Sequence, residues 1–440
     1  MKRRLTVMLS TLIALLLGAC SQAPKERATI APQSFRSGLY LTQEEAGAEA
    51  LHIRSLIGGL RAGESLEVAD VTFLGSNALR SAGADTLAAE NGVYLVNFAD
   101  DNGFVLLSSY AYAEPILAIA EQGNLTCSEE EDEISRFLLD KLLTRHQMTI
   151  GSLTDVVPVL NGIRYPADST LNDVILAGDS LLVEYGEWNT YNYYPAFLPT
   201  NWGQLFPYNQ YLDSIDGREL PPAGCAATAV GQVLAYYRVP VPAYDWEMIV
   251  NPKNTDEEEY GYDRAAQLLK ALGAPNLLNI SYSLDGSSAL SENVPRTLTY
   301  YGLRSDSVLS SYNYNTVLRE VAAQRPVYID GASFKITYPE TGLVSYSNRH
   351  AWLLDGALSM MRNVYLVNRN TGVKRWAFCQ IKNLLHCNIG ARKPKNGFYV
   401  SGAFDVYNGP ELLRSSLTPI VEGSEKNYQF ALRIITGIRR

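Results

Sequence analysis

The 440-residue chain predicts an α+β protein, with a helix-bearing stretch and then a β-rich half standing behind a smaller α+β unit. Three observations lead there. In "PPAGCAATAVGQVLAYYRVP" (221–240), Val230, Val233, Leu234 and Tyr237 fall at i, i+3, i+4 and i+7, a helical period that Pro240 closes. "GVYLVNF" and "FVLLSS" flank "ADDNG", two β-rich runs joined by the residues a tight turn prefers. Between about 324 and 437, "RPVYIDG", "HAWLLDGAL", "NVYLVNR" and "GFYVSGAF" follow as successive strands.

Composition bounds the partners. At 47% hydrophobic and 19% charged, the chain can bury a sizeable core. A net charge of -9 with no block of Lys and Arg argues against nucleic acid and toward polypeptide partners. The 28 tyrosines, clustered in "NTYNYYPAF" and "SSYNYNTV", suit a surface that contacts polypeptide or a half-buried β surface.

Each region follows in order. Residues 1–20 read as an export signal: Lys2, Arg3 and Arg4 precede an apolar run, 5–17, that is too short to cross a bilayer. The run ends "LLLGACSQ", which resembles a lipoprotein lipobox and implies lipidation of Cys20. The expectation is an exported bacterial lipoprotein, membrane-anchored at the outer membrane or cell surface. Residues 21–35 are polar and aperiodic, as a tether is. Residues 36–150 form the smaller unit: a helix over "LTQEEAGAEALHIRSLIGGL", the hairpin, and an acidic helix opened by the capping pattern of Ser128 and Glu131 and running to about His146. Residues 151–187 read as an exposed connection, and 188–440 as the larger domain, with an amphipathic helix near 261–272.

Besides Cys20 there are Cys127, Cys225, Cys379 and Cys387, and a disulfide between Cys379 and Cys387 is conceivable across two neighbouring strands. Cys225 is the one with a chemical setting. It stands in the first turn of a buried helix, where unpaired N–H groups and the macrodipole favour thiolate, and Gly224 before it lets another backbone approach. A small core residue would suit the position equally well, so a partner must decide. His350 opens "HAWLLDGAL", and "LLHCNIG" supplies Asn388, an amide able to orient an imidazole. Cysteine on a helix, histidine on a later strand and asparagine on the next is the order used by papain-like cysteine peptidases.

With these residues in place, the chain resembles the streptopain family (C10) of bacterial cysteine peptidases. The matching stretches are "WGQLFPYN" (202–209), "GCAATAVGQVLAYY", "YDWEMI", "HAWLLDG" and "HCNIGARKPKNGFY", in the family's order, and "NGFVLLSSYAYAEPILAIAEQG" resembles its inhibitory pro-domain. The resemblance implies a papain-like two-lobed peptidase, nucleophile helix plus antiparallel β half, behind a small α+β pro-domain acting as intramolecular inhibitor. It implies Cys225 as nucleophile, His350 as general acid/base, Asn388 as orienter of His350, and the Gln204 amide with the Cys225 N–H as oxyanion hole. Polypeptide is the implied substrate, and no metal or cofactor is called for. The departures are Ile389, where the family has Trp, the basic loop "ARKPK", and Arg349, a bulky cation before the histidine. They leave a second reading open, a weak or inactive relative serving as a protein-binding or protease-inhibitor lipoprotein of the cell envelope.

Overall fold

The computed structural model describes residues 41–57, 66–74, 92–109, 115–125, 181–284, 286–338, 343–368, 372–390, 396–400, 420–423 and 430–440. Cys20, the tether, Cys127, the acidic helix toward His146 and the 391–395 loop lie outside them.

Helix α1 (Gln43–Ser55) starts where the sequence says a helix starts: Thr42 accepts from the Glu45 N–H and Glu45 returns a bond to the Thr42 N–H. Strand β1 (Val68–Leu74) leads to the expected hairpin, β2 (Val93–Phe98) against β3 (Phe104–Ser108), and β4 (Ile116–Ala120) pairs β3. Strands β5 (Leu181–Tyr185) and β6 (Asn189–Tyr194) follow. The helical part holds α2 (Cys225–Tyr236), α3 (Trp246–Val250), α4 (Thr255–Leu272), α5 (Val294–Tyr300) and, after the short β7 (Ser310–Ser311), α6 (Tyr314–Ala322). The β half is β8 (Val327–Tyr338), β9 (Leu343–Asn368), β10 (Lys374–Asn388), β11 (Gly397–Val400), β12 (Ile420–Gly423) and β13 (Phe430–Ile435).

These strands join one antiparallel sheet in the order β1-β2-β3-β4-β11-β10-β9-β8-β13-β7, with β12 on β8 and both β5 and β6 on β9. The early hairpin therefore continues the sheet of the β half, through Phe398 opposite Ile119. The two also share a core. Ala46, Ala50 and Ile53 of α1 pack with Val96, Val105 and Ile119 and with Leu358, Leu384 and Phe398. Beneath α1, Arg362 of β9 donates to Glu49 at 3.0 Å, both side chains 1% exposed, while its guanidinium lies 4.4 Å from the Trp188 ring. Trp188 also donates to Glu49. A buried ion pair needs such partners, because each ion gives up its water; here both bonds go to Glu49 Oε1, and Oε2 is left without one.

Three expectations are corrected. "HAWLLDGAL" and "NVYLVNR" belong to one 26-residue strand, β9, so His350 lies inside a strand instead of opening one. Gly356 lets that strand run straight past its neighbours, since a Cβ there would stand 2.8 Å from the His386 Cβ and 3.0 Å from the Tyr194 carbonyl. Within the expected exposed connection, 181–185 is a strand paired along 364–368, and Tyr185 is buried. Cys379 and Cys387 share one strand, β10, eight residues or roughly 26 Å apart, so no disulfide joins them.

Candidate active site

α2 is apolar on all sides and buried on all sides, with every residue from Ala226 to Ala235 covered. Its apolar contacts run to Trp202, Leu268, Leu269, Tyr328 and Leu353. The helix begins abruptly. Gly224, at φ 98, has no side chain to cap it, and a Cβ there would meet Ile280 at 3.3 Å. Thr228 secures the first turn instead, its hydroxyl donating to the Gly224 carbonyl at 3.1 Å.

Cys225 heads this helix, half-buried and partly packed against the same core. Burial pushes its thiol above the ordinary value of 9.0, although the Ala351 and Ala226 N–H groups reach the sulfur and pull the other way. The helix end does supply the expected donors, but in this form of the chain desolvation outweighs them. Cys225 packs against the cluster that includes Ala351, the residue after His350 on β9.

His350 faces the Ile389 carbonyl through Nε2 at 3.2 Å, with the Trp352 ring nearly parallel at 6.0 Å. Only a protonated Nε2 can bond a carbonyl, so this contact selects the tautomer that leaves Nδ1 basic. Gln204 is strapped to the nucleophile segment, its carbonyl accepting from the Ala223 N–H at 2.8 Å, two residues before Cys225. Its own side chain is half-buried.

Asn388 departs from the expectation. Its Nδ2 donates to the Thr200 carbonyl at 2.8 Å and to Gln232 at 3.1 Å, and its Oδ1 accepts from Gln232 Nε2 at 3.1 Å. The amide is thus engaged with α2, and the orienting bond to His350 comes from the next residue's carbonyl. Ile389 itself is buried in the core, its N–H held by Asn396. Arg349 also differs from expectation. Successive residues of a strand point to opposite faces, so it turns from His350 and pairs with Asp330 at 2.8 Å. Asp330 is held on both oxygens by Arg433 as well, at 3.0 and 2.6 Å. The cation is therefore neutralised before it can act on the imidazole.

Two features escaped the sequence reading. Gln232 reads there as one polar residue in an apolar helix, with nothing to announce a partner 156 positions away. His386, within "LLHCNIG", forms a buried pair with Asp355, Nδ1 to Oδ1 at 2.5 Å. Among the described residues, no group of three or more His, Cys, Asp or Glu could hold a metal ion, and no helix is long and apolar enough to cross a membrane.

Residues 202–244 and 241–399 match the model of the peptidase C10 family. Among solved structures, the chain is similar to a prointerpain A fragment from Prevotella intermedia, at 15% identity over 84% of this chain and 99% of that one, with a TM-score of 0.46. It is also similar to the active interpain A cysteine protease of the same organism, at 18% identity over 56% and 95%, with a TM-score of 0.34. No curated protein sequence matches. The matched segments, in chain order, carry Gln204, Cys225, His350 and Asn388, so residues 202–399 are similar to the peptidase C10 family of cysteine peptidases.

Proposed function

We propose that this protein is a lipid-anchored cysteine endopeptidase made as a self-inhibited precursor, with Cys225 as nucleophile and His350 as general acid/base. The observation that carries the reading is the packing of Cys225 against the core cluster that holds Ala351 and Leu353, the β9 residues that follow His350. The thiol gives its proton to His350 Nδ1 and the sulfur attacks a peptide carbonyl. A C–S bond forms, the C–N bond breaks, and the imidazolium protonates the departing amine. Water then hydrolyses the thioester. The Gln204 amide and the Cys225 N–H receive the oxyanion, a contribution of about 3 kcal/mol per donor. Asn388 serves this chemistry at one remove, by holding the backbone that presents the Ile389 carbonyl to His350.

The self-inhibited form is supported by the N-terminal unit's place in the peptidase sheet and by the raised Cys225 thiol. Cys20 would carry the lipid. The test is intact mass against time for the chain from residue 21, near neutral pH with reductant, beside Cys225→Ala. Loss of the N-terminal unit, about 100 to 170 residues, by the wild type alone is the expected result.

The buried, raised thiol also favours a second reading, a protein-binding or protease-inhibitor lipoprotein of the cell envelope. If both chains stay whole, 151–180 is cut deliberately and a thiol-directed epoxide offered. A cut chain that leaves Cys225 unlabelled supports the binding protein.

A further inference from the structure

Gln232 lies two helical turns beyond Cys225 on the same helix and is fully buried. Its Oε1 accepts from the Trp202 N–H at 3.1 Å, the Thr200 hydroxyl at 3.2 Å and Asn388 Nδ2 at 3.1 Å, and its Nε2 donates to Asn388 Oδ1 at 3.1 Å. Asn388 closes the set by donating to the Thr200 carbonyl. One amide thus joins three segments that are remote in sequence. Each carries part of the site. The 200–202 segment leads into Gln204, α2 begins with Cys225, and Asn388 precedes the carbonyl that meets His350 Nε2.

An apolar side chain would fill this space, as Val230 and Val233 do around it, and burying an amide stabilises only when every bond is made. What an amide pair adds is geometry: its bonds fix distance and direction where apolar packing fixes only volume. We infer that Gln232 is a positioning residue, the common fastening that keeps the oxyanion segment, the nucleophile helix and the His350-orienting carbonyl in register. The inference rests on the assignment of Cys225, His350 and Gln204 given above.

The experiment uses the full chain from residue 21 with Gln232→Met, Gln232→Glu, Asn388→Ala and the Gln232→Met/Asn388→Ala pair, beside wild type and Cys225→Ala. Peptide hydrolysis gives kcat and KM. The pH profile of Cys225 alkylation by iodoacetamide, read by peptide mass, reports the thiol's coupling to His350 without requiring processing. Gln232→Met is expected to lower kcat about tenfold with KM within about twofold, the pattern of a group that acts only as the transition state forms. Its alkylation midpoint is expected to move up by about one pH unit, with the same shift for Asn388→Ala and no further shift in the pair. Unchanged kcat and midpoint beside a lowered melting temperature, or losses that add in full, overturn the inference. Gln232→Glu guards against misfolding of the Met variant. Once ionised, its carboxylate cannot donate to Asn388, so its activity relative to wild type should rise as pH falls, and a constant ratio is equally fatal. A Cys225→Ala chain that still hydrolyses peptide defeats the catalytic assignment instead, and this inference with it.

Discussion

His386 shows how a single buried group ties this fold to pH. Burial alone would lower its pKa, but the Asp355 carboxylate, by charge and by hydrogen bond, together with the charge of Glu121, leaves it above the ordinary value of 6.5. Asp355 is anchored in turn by the Leu198 N–H at 3.1 Å, and the Phe398 ring covers the imidazole edge-on. A raised histidine stabilises the folded chain fully below pH 6.5 and loses that contribution as pH climbs through the raised value. The melting-temperature advantage of wild type over His386→Gln should therefore shrink between pH 6 and 9, and an advantage that grows across the range would contradict the pairing. Cys225 carries the opposite kind of information. With burial dominating, the thiolate forms only above the ordinary 9.0, so alkylation of Cys225 in the uncleaved chain should be slow at pH 7 and still be rising beyond pH 9. A plateau reached below pH 8 would mean that the thiol is already ionised in this form.

At the scale of elements, α2 depends on the absence of a side chain at Gly231. A Cβ there would lie 2.9 Å from the Leu269 side chain and 2.9 Å from the Trp202 ring. Alanine normally improves a helix by about 1 kcal/mol. Here the crowding reverses the sign, and Gly231→Ala should cost about 1–3 kcal/mol in denaturant melts. The same displacement of Trp202 strains its N–H bond to Gln232, so the loss should extend to activity. A stabilised Gly231→Ala chain would mean that α2 and α4 can part without effect.

For the whole molecule, the decisive element is the long β9. It carries His350 near one end and Arg362 toward the other, and so links the candidate site to the N-terminal helix. Removing one ion from the buried Glu49–Arg362 pair leaves the other uncompensated, and each of Glu49→Ala and Arg362→Ala should cost about 3–5 kcal/mol in the full chain. Limited proteolysis should locate the damage in the N-terminal unit, whose core is shared with β9–β11. Damage confined to the helices around Cys225 would show that the pair is merely local.

Much of this was legible from the chain alone, because local patterns are enough to specify it. Helical spacing in "LTQEEAGAEALHIRSLIGGL" marks α1, turn residues mark the β2–β3 hairpin, and a largely apolar helical run behind Gly224 marks α2. The residue types at the site, Cys225, His350, Asn388 and Gln204, were legible for the same reason, each standing in a recognisable short stretch. Which atom meets which was not legible. Asn388 bonds Gln232 because strand β10 ends against the side of α2, and the Ile389 carbonyl reaches His350 because that is where the backbone turns. Arg349 is paired with Asp330, which comes from another strand and is shared with Arg433. Such pairings depend on distances in space between residues remote in sequence, and only tertiary packing sets those distances.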